Sequence, residues 1–137
     1  MMIFSRISFR GCDLKDQRQL LREVNSITPN KIEALAYVPT DSSWFLGHFP
    51  NEPILPGIAL IYMAQQAIIQ DAAVKGEEIV FEALKRVRFT QPVRPGESLK
   101  VNVTREEAGE ETLFNFKVAH EENIVCSGLI AGKKKKR

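Results

Sequence analysis

The stretch from Gly57 to about Val74, "GIALIYMAQQAIIQDAAV", is apolar on nearly every helical face and is closed by "KGEE". At about 1.5 Å per residue it spans about 25 Å, the width of a small domain, and a helix apolar all round is a buried one. Everything after it reads as strand. "IVFEAL" and "KRVRFTQPV" lead to the turn "RPGE"; "SLKVNVTREE" leads to "AGEE"; "TLFNFKVAHEEN" leads to "IVCSGLIAG". Each has β-branched or aromatic alternation, and each break carries Pro, Gly or Asn. Upstream, "KIEALAYVP" alternates Ile32, Ala34, Ala36 and Val38 against Lys31, Glu33, Leu35 and Tyr37, a strand that Pro39 ends. Only "DLKDQRQLLREVN", residues 13–25, suggests a second, short amphipathic helix, with Asp13 near its start and Leu14, Leu20, Leu21 and Val24 as its apolar residues.

One long helix and a run of antiparallel strands require the sheet to curl around the helix. This α+β arrangement is the hotdog architecture. A chain of 137 residues is one domain by length, and 44% hydrophobic with 26% charged residues is ordinary for a globular protein. Without repeats or a linker, residues 1–132 read as a single hotdog domain and residues 133–137, "KKKKR", as a disordered basic tail. The net charge of +2 therefore misleads, because the tail supplies five cations and the body is mildly acidic. Nucleic-acid binding wants cations interleaved with aromatics on a folded face, and the tail has no aromatics. Cys12 and Cys126 lie far apart without metal-type spacing, which reads as a reduced, cytoplasmic setting with Cys126 as inert packing. The opening "MMIFSRISFR" is broken by Arg6 and makes a poor signal peptide. The apolar run from Ile54 to Ile69 is interrupted by Pro56 and Gln65 and is too short to span a bilayer.

The chemistry-bearing segment is "GHFPNEPILPG", residues 47–57, directly before the helix. His48 is braced by Phe49, Pro50 and Pro53, which limits its drift, and Gly57 lets backbone N–H groups at the helix start approach a ligand closely. No G-x-S-x-G elbow, phosphate loop or H-E-x-x-H pattern competes with it. Ser42 and Ser43 lie near His48 in sequence, but no acid completes a triad, so a turn or cap role suits them.

The longer stretch "GHFPNEPILPGIALIYMAQQ" resembles the signature of the 3-hydroxyacyl-acyl-carrier-protein dehydratases of the FabZ and FabA type. There a G-H-F-P loop precedes P-x-x-P-G and the central helix. "KRVRFTQPVRPGESLKV" resembles that family's following strand pair, and "FNFKVAHEENIVCSGLI" its closing hairpin. The likeness covers roughly residues 30–132 and is weak at the N-terminus, where the family's P-F-L-L-V-D-R segment has no clear counterpart.

The resemblance implies elimination of water from a 3-hydroxyacyl thioester of acyl carrier protein or coenzyme A, in fatty-acid or related acyl-chain biosynthesis. No metal and no organic cofactor is implied. The assembly implied is a homodimer or a heterodimer with a paralogue, or a higher oligomer. His48 would be the catalytic base, a role a neutral imidazole suits near pH 7, and the Gly57 amide would donate to the thioester oxygen. Phe49, Pro56, Ile58 and Gln66 join Gly57 as substrate-binding residues. His120, on a strand before "EEN", reads as a surface residue.

One departure stands out. Where the family carries a catalytic Glu or Asp on the helix, supplied from the other subunit, this sequence has Tyr62. Three readings stay open. Tyr62 donates the proton itself, since a phenol of pKa about 10 is protonated at neutral pH; or Glu52 or Asp41 substitutes; or dehydration is lost. In the last case the chain is a partner subunit of an active paralogue, or a thioesterase in which His48 activates water. As a purely packing residue, Tyr62 would line a tunnel or the core. Finally, residues 85–100 hold Lys85, Arg86, Arg88, Arg94 and Lys100 against Glu97, a patch that can steer an acidic carrier protein.

Overall fold

The computed structural model describes residues 6–8, 19–42, 44 and 54–135, with the backbone alone for 6–8. His48, Phe49, Glu52, Ser43 and Cys12 lie outside the described residues. The elements run β1 (Arg6–Ser8), β2 (Leu21–Thr28), β3 (Lys31–Tyr37), α1 (Gly57–Val74), β4 (Ile79–Phe89), β5 (Ser98–Ala108), β6 (Glu111–His120) and β7 (Asn123–Lys134). All seven strands form one sheet in the order β1-β2-β3-β5-β6-β7-β4, and every neighbouring pair is antiparallel.

Alternation builds the core. In β3, β5 and β6 every second side chain is buried, including Ile32, Ala34, Ala36, Val101, Val103, Phe114, Phe116 and Val118. These face α1, which lies against β2 through β6. The chain leaves β3, crosses as α1 and returns as β4 on the far edge of the sheet. The result is the hotdog fold expected above.

Among the described residues only one side of α1 is covered. Ala59, Leu60, Met63, Ala64, Ala67, Ile68 and Ala72 are buried against the sheet. Ile58, Ile69 and Val74 remain exposed, because a single sheet can cover only one face of a helix. No helix among the described residues is long and apolar enough to cross a membrane.

Two expectations need correction. Residues 21–25 are strand, not helix. The β2–β3 register shifts between Leu21 and Glu23, so Leu21 and Val24, three apart, are both buried. A bulge thus imitates helical spacing. Lys133 and Lys134 belong to β7 and not to a tail, and the Lys135 N–H donates to the Glu78 carbonyl at 2.8 Å. The backbone ladder with β4 explains this, with Lys133 opposite Val80 and Lys134 opposite Ile79. Acidic neighbours accompany it: Lys133 lies 3.7 Å from Glu82, Lys134 3.2 Å from Glu77 and Lys135 3.8 Å from Glu78.

Candidate active site

The helix begins abruptly. Pro56 is its N-cap, with φ −60° and ψ 143°, and offers no side-chain hydrogen bond. Proline has no N–H and holds φ near that value, so the turn enters the helix without a polar cap. The Pro56 carbonyl accepts from the Ala59 N–H at 2.9 Å. Gly57 opens the helix, where the first amides have no intrahelical acceptor and the helix dipole adds partial positive charge.

Beside Gly57 lies an apolar pocket of about 380 Å³ lined by Ile54, Leu55, Leu60, Phe89, Pro92 and Val93, with Thr90 and Gln91 at its polar side. Its backbone walls are tied together. The Leu55 N–H donates to the Val93 carbonyl at 2.8 Å, and the Thr90 N–H donates to the Val125 carbonyl at 2.9 Å. The Thr90 hydroxyl donates to the Ile124 carbonyl.

Of the substrate-binding residues expected from sequence, Pro56 and Gly57 meet at the helix start, and Gly57 lines the pocket. Ile58 points elsewhere: it is 65% exposed. Tyr62 and Gln66 follow it at one-turn spacing on α1, and both are half-buried. The Tyr62 ring meets Trp44, the chain's single tryptophan, with centroids 6.0 Å apart and planes tilted by 58°. Trp44 is held in turn by its backbone N–H, which donates to the Ser42 hydroxyl at 3.3 Å. Ser42 is buried and serves that turn, while Asp41 is exposed. Trp44, against Tyr62, and Phe89, in the pocket lining, are not singled out by the sequence reading. Phe89 lies within the quoted "RFTQPV" segment, so a signal existed; Trp44 carried none beyond its proximity to the loop.

At the other end of α1 a second polar group of residues forms. Arg105, 8% exposed, donates to Glu77 at 2.7 and 3.3 Å and to Glu107 at 3.0 Å. Its guanidinium also lies 5.8 Å from the Phe114 ring centroid. Hydrogen bonding from Arg105 holds the Glu77 carboxyl below its ordinary value, against the upward pull of burial. Burial likewise opposes charge on Glu107, yet hydrogen bonds from Thr112 and Arg105 leave it lowered. His120 is half-buried, with Nδ1 3.4 Å from Glu97. The Cys126 thiol is buried, and burial pushes it up to about 11. Among the described residues no group of three or more His, Cys, Asp or Glu side chains is arranged to hold a metal ion.

Comparison with known proteins adds the family. The ApeI-like family, described as ApeI dehydratase, matches residues 24–129. A 3-hydroxyacyl-[acyl-carrier-protein] dehydratase FabZ of Clostridium perfringens is 32% identical over 88 residues, covering 61% of this chain and 63% of that protein. The alignment thus spans under two thirds of that relative. The FabZ of Polynucleobacter asymbioticus is 31% identical over 121 residues, covering 79% of this chain and 80% of that protein. Among solved structures, the dehydratase heterocomplex ApeI:P from Xenorhabdus doucetiae is similar in fold, with a TM-score of 0.66 at 23% identity over 84% of this chain and 97% of that one. With most of its length matched, from β2 into β7, the chain belongs to the ApeI-like dehydratase family.

Proposed function

We propose that this chain eliminates water from 3-hydroxyacyl thioesters, carried on acyl carrier protein or coenzyme A. The observation that carries the reading is the family match over residues 24–129, which contains the loop "GHFPNEPILPG" leading into Gly57. His48 removes the C2 proton as base. The charge that builds on the thioester oxygen is met by the Gly57 amide at the positive end of α1. The departing hydroxyl takes a proton from Tyr62, which is then restored through solvent or from the imidazolium. Pro56, Phe49 and Gln66 complete the substrate contacts, and Ile58 faces away from them. Neither a metal nor an organic cofactor takes part in these steps.

The partner side of the reading rests on surface chemistry. By register Arg88, Ser127 and Lys117 share one row across β4, β7 and β6. Lys85 and Arg86 flank it at a β4 bulge, where Arg86 has φ 55°. All four cations are exposed. Lys100 is exposed as well, though 3.8 Å from Glu33. Such a surface suits an acidic carrier in a cytoplasmic setting. The assembly proposed is a dimer built on the β4 edge and the outer face of α1.

A second reading is favoured by the heterocomplex of the Xenorhabdus doucetiae relative. In it this chain pairs with a paralogue that supplies the acid Tyr62 replaces. Purified chain, tested with 3-hydroxyacyl and saturated acyl thioesters in carrier-bound and coenzyme A form, separates the possibilities. Enoyl product is expected; free thiol would indicate a thioesterase, and neither product a partner subunit. His48→Ala should abolish enoyl formation with an unchanged melting temperature. Full activity in that variant would rule out His48 as the base.

A further inference from the structure

Position 57 has no room for a side chain. A Cβ added to Gly57 would stand 2.7 Å from two atoms of the Phe89 ring and 3.1 Å from a third. The ring therefore fills the space that glycine leaves at the first turn of α1. Its backbone is fixed, because Phe89 pairs with Cys126 of β7 and Thr90 is hydrogen-bonded to Val125 and Ile124. The side chain itself is 52% exposed, whereas Leu55, Leu60 and Val93 on the same pocket are 3% exposed or less. The pocket thus has a rigid apolar floor and one wall with room to turn.

The chemistry of the lining selects its occupant. Among the described residues none of the lining side chains is charged, and the Thr90 hydroxyl is already engaged. A charged group placed there would lose its hydration without gaining a partner. An alkyl chain, by contrast, gains about fourfold in affinity for each methylene it buries. We propose that Phe89 is a specificity-determining residue: its ring closes the apolar pocket against the start of α1 and sets the length of acyl chain accepted. This rests on the acyl-thioester reading of the same site.

Saturated acyl thioesters test it without elimination, because they lack the 3-hydroxyl that elimination requires. Calorimetric titration of a chain-length series into the wild type should show affinity rising by about fourfold per methylene up to a limiting length. Phe89→Ala should move that limit to longer chains and Phe89→Trp to shorter ones. Equal limits in all three proteins, a uniform loss at every length, or no binding by the wild type would each overturn the proposal. A packing control runs alongside. Gly57→Ala should lower the melting temperature by displacing the ring, and the double variant Gly57→Ala/Phe89→Ala should recover it; absence of recovery would contradict the contact on which the proposal stands. Since turnover is not measured, a protein that makes no enoyl product but keeps this length dependence would sink the dehydratase reading alone.

Discussion

Tyr62 carries the sharpest residue-level question. Its ring rests against Trp44, so the hydroxyl can be removed without disturbing that aromatic contact. Tyr62→Phe is expected to lower elimination by about 10²–10⁴-fold, the usual weight of general acid catalysis, with stability unchanged. Steady-state kinetics beside thermal melting would check this. Full turnover with a loss of about 1 kcal/mol in stability would assign Tyr62 to packing instead. The resemblance singled out Tyr62, because it implies a carboxylate at that helix position. It could not reveal Trp44 as the neighbour, since the two residues lie on different segments and meet only when the turn at Ser42 folds onto α1.

At the level of elements, the polar group around Arg105 joins β5 to the turn after α1 and to β7. Arg105 falls on the inward row of β5 behind Val101 and Val103, where alternation alone would place an apolar residue. Glu77 makes this tolerable by accepting two of its hydrogen bonds, and Lys134 sits 3.2 Å from the same carboxylate. Glu77→Gln should cost about 1.5–3 kcal/mol near neutral pH, since it weakens charge-assisted bonds to a buried cation. The pH dependence follows from the lowered Glu77 carboxyl. The unfolded chain binds that proton more readily, so the stabilisation is complete above the ordinary carboxylate value and is lost as pH falls through the lowered folded value. Melting curves between about pH 7 and pH 2 should therefore show a steeper acid-side fall in the wild type than in Glu77→Gln. Equal slopes would contradict the role given to Glu77. None of this was legible in the sequence, because Glu77 and Arg105 are distant in the chain and neither stands in a motif.

The whole molecule presents two incomplete surfaces. Among the described residues β4 pairs only with β7, leaving one edge of an eleven-residue strand open with Val80 and Leu84 exposed. Ile58 and Ile69 are exposed on the outer face of α1. A long apolar edge strand invites pairing with another chain, and an uncovered apolar helix face adds area to the same contact. Sedimentation at micromolar concentration should accordingly give the mass of a dimer; a stable monomer would overturn the proposed assembly. Replacing both Val80 and Leu84 by Glu should shift the equilibrium toward monomer while leaving the melting transition of the single chain intact.

What the sequence determined by itself was local. The length and nearly all-round apolar character of residues 57–74, the two-residue alternation of β3, β5 and β6, and the loop "GHFPNEPILPG" identified the hotdog fold and the dehydratase family. Periodicity and turn chemistry act between near neighbours and survive reading in one dimension. Tertiary structure decided the rest. Pairing with β3 turned a helix-like spacing at Leu21 and Val24 into a bulged strand, and backbone pairing with β4 drew Lys133 to Lys135 out of an apparent tail. The same long-range placement set Phe89 over Gly57, because which strand lies beside the start of α1 depends on sheet order and not on any spacing within either segment.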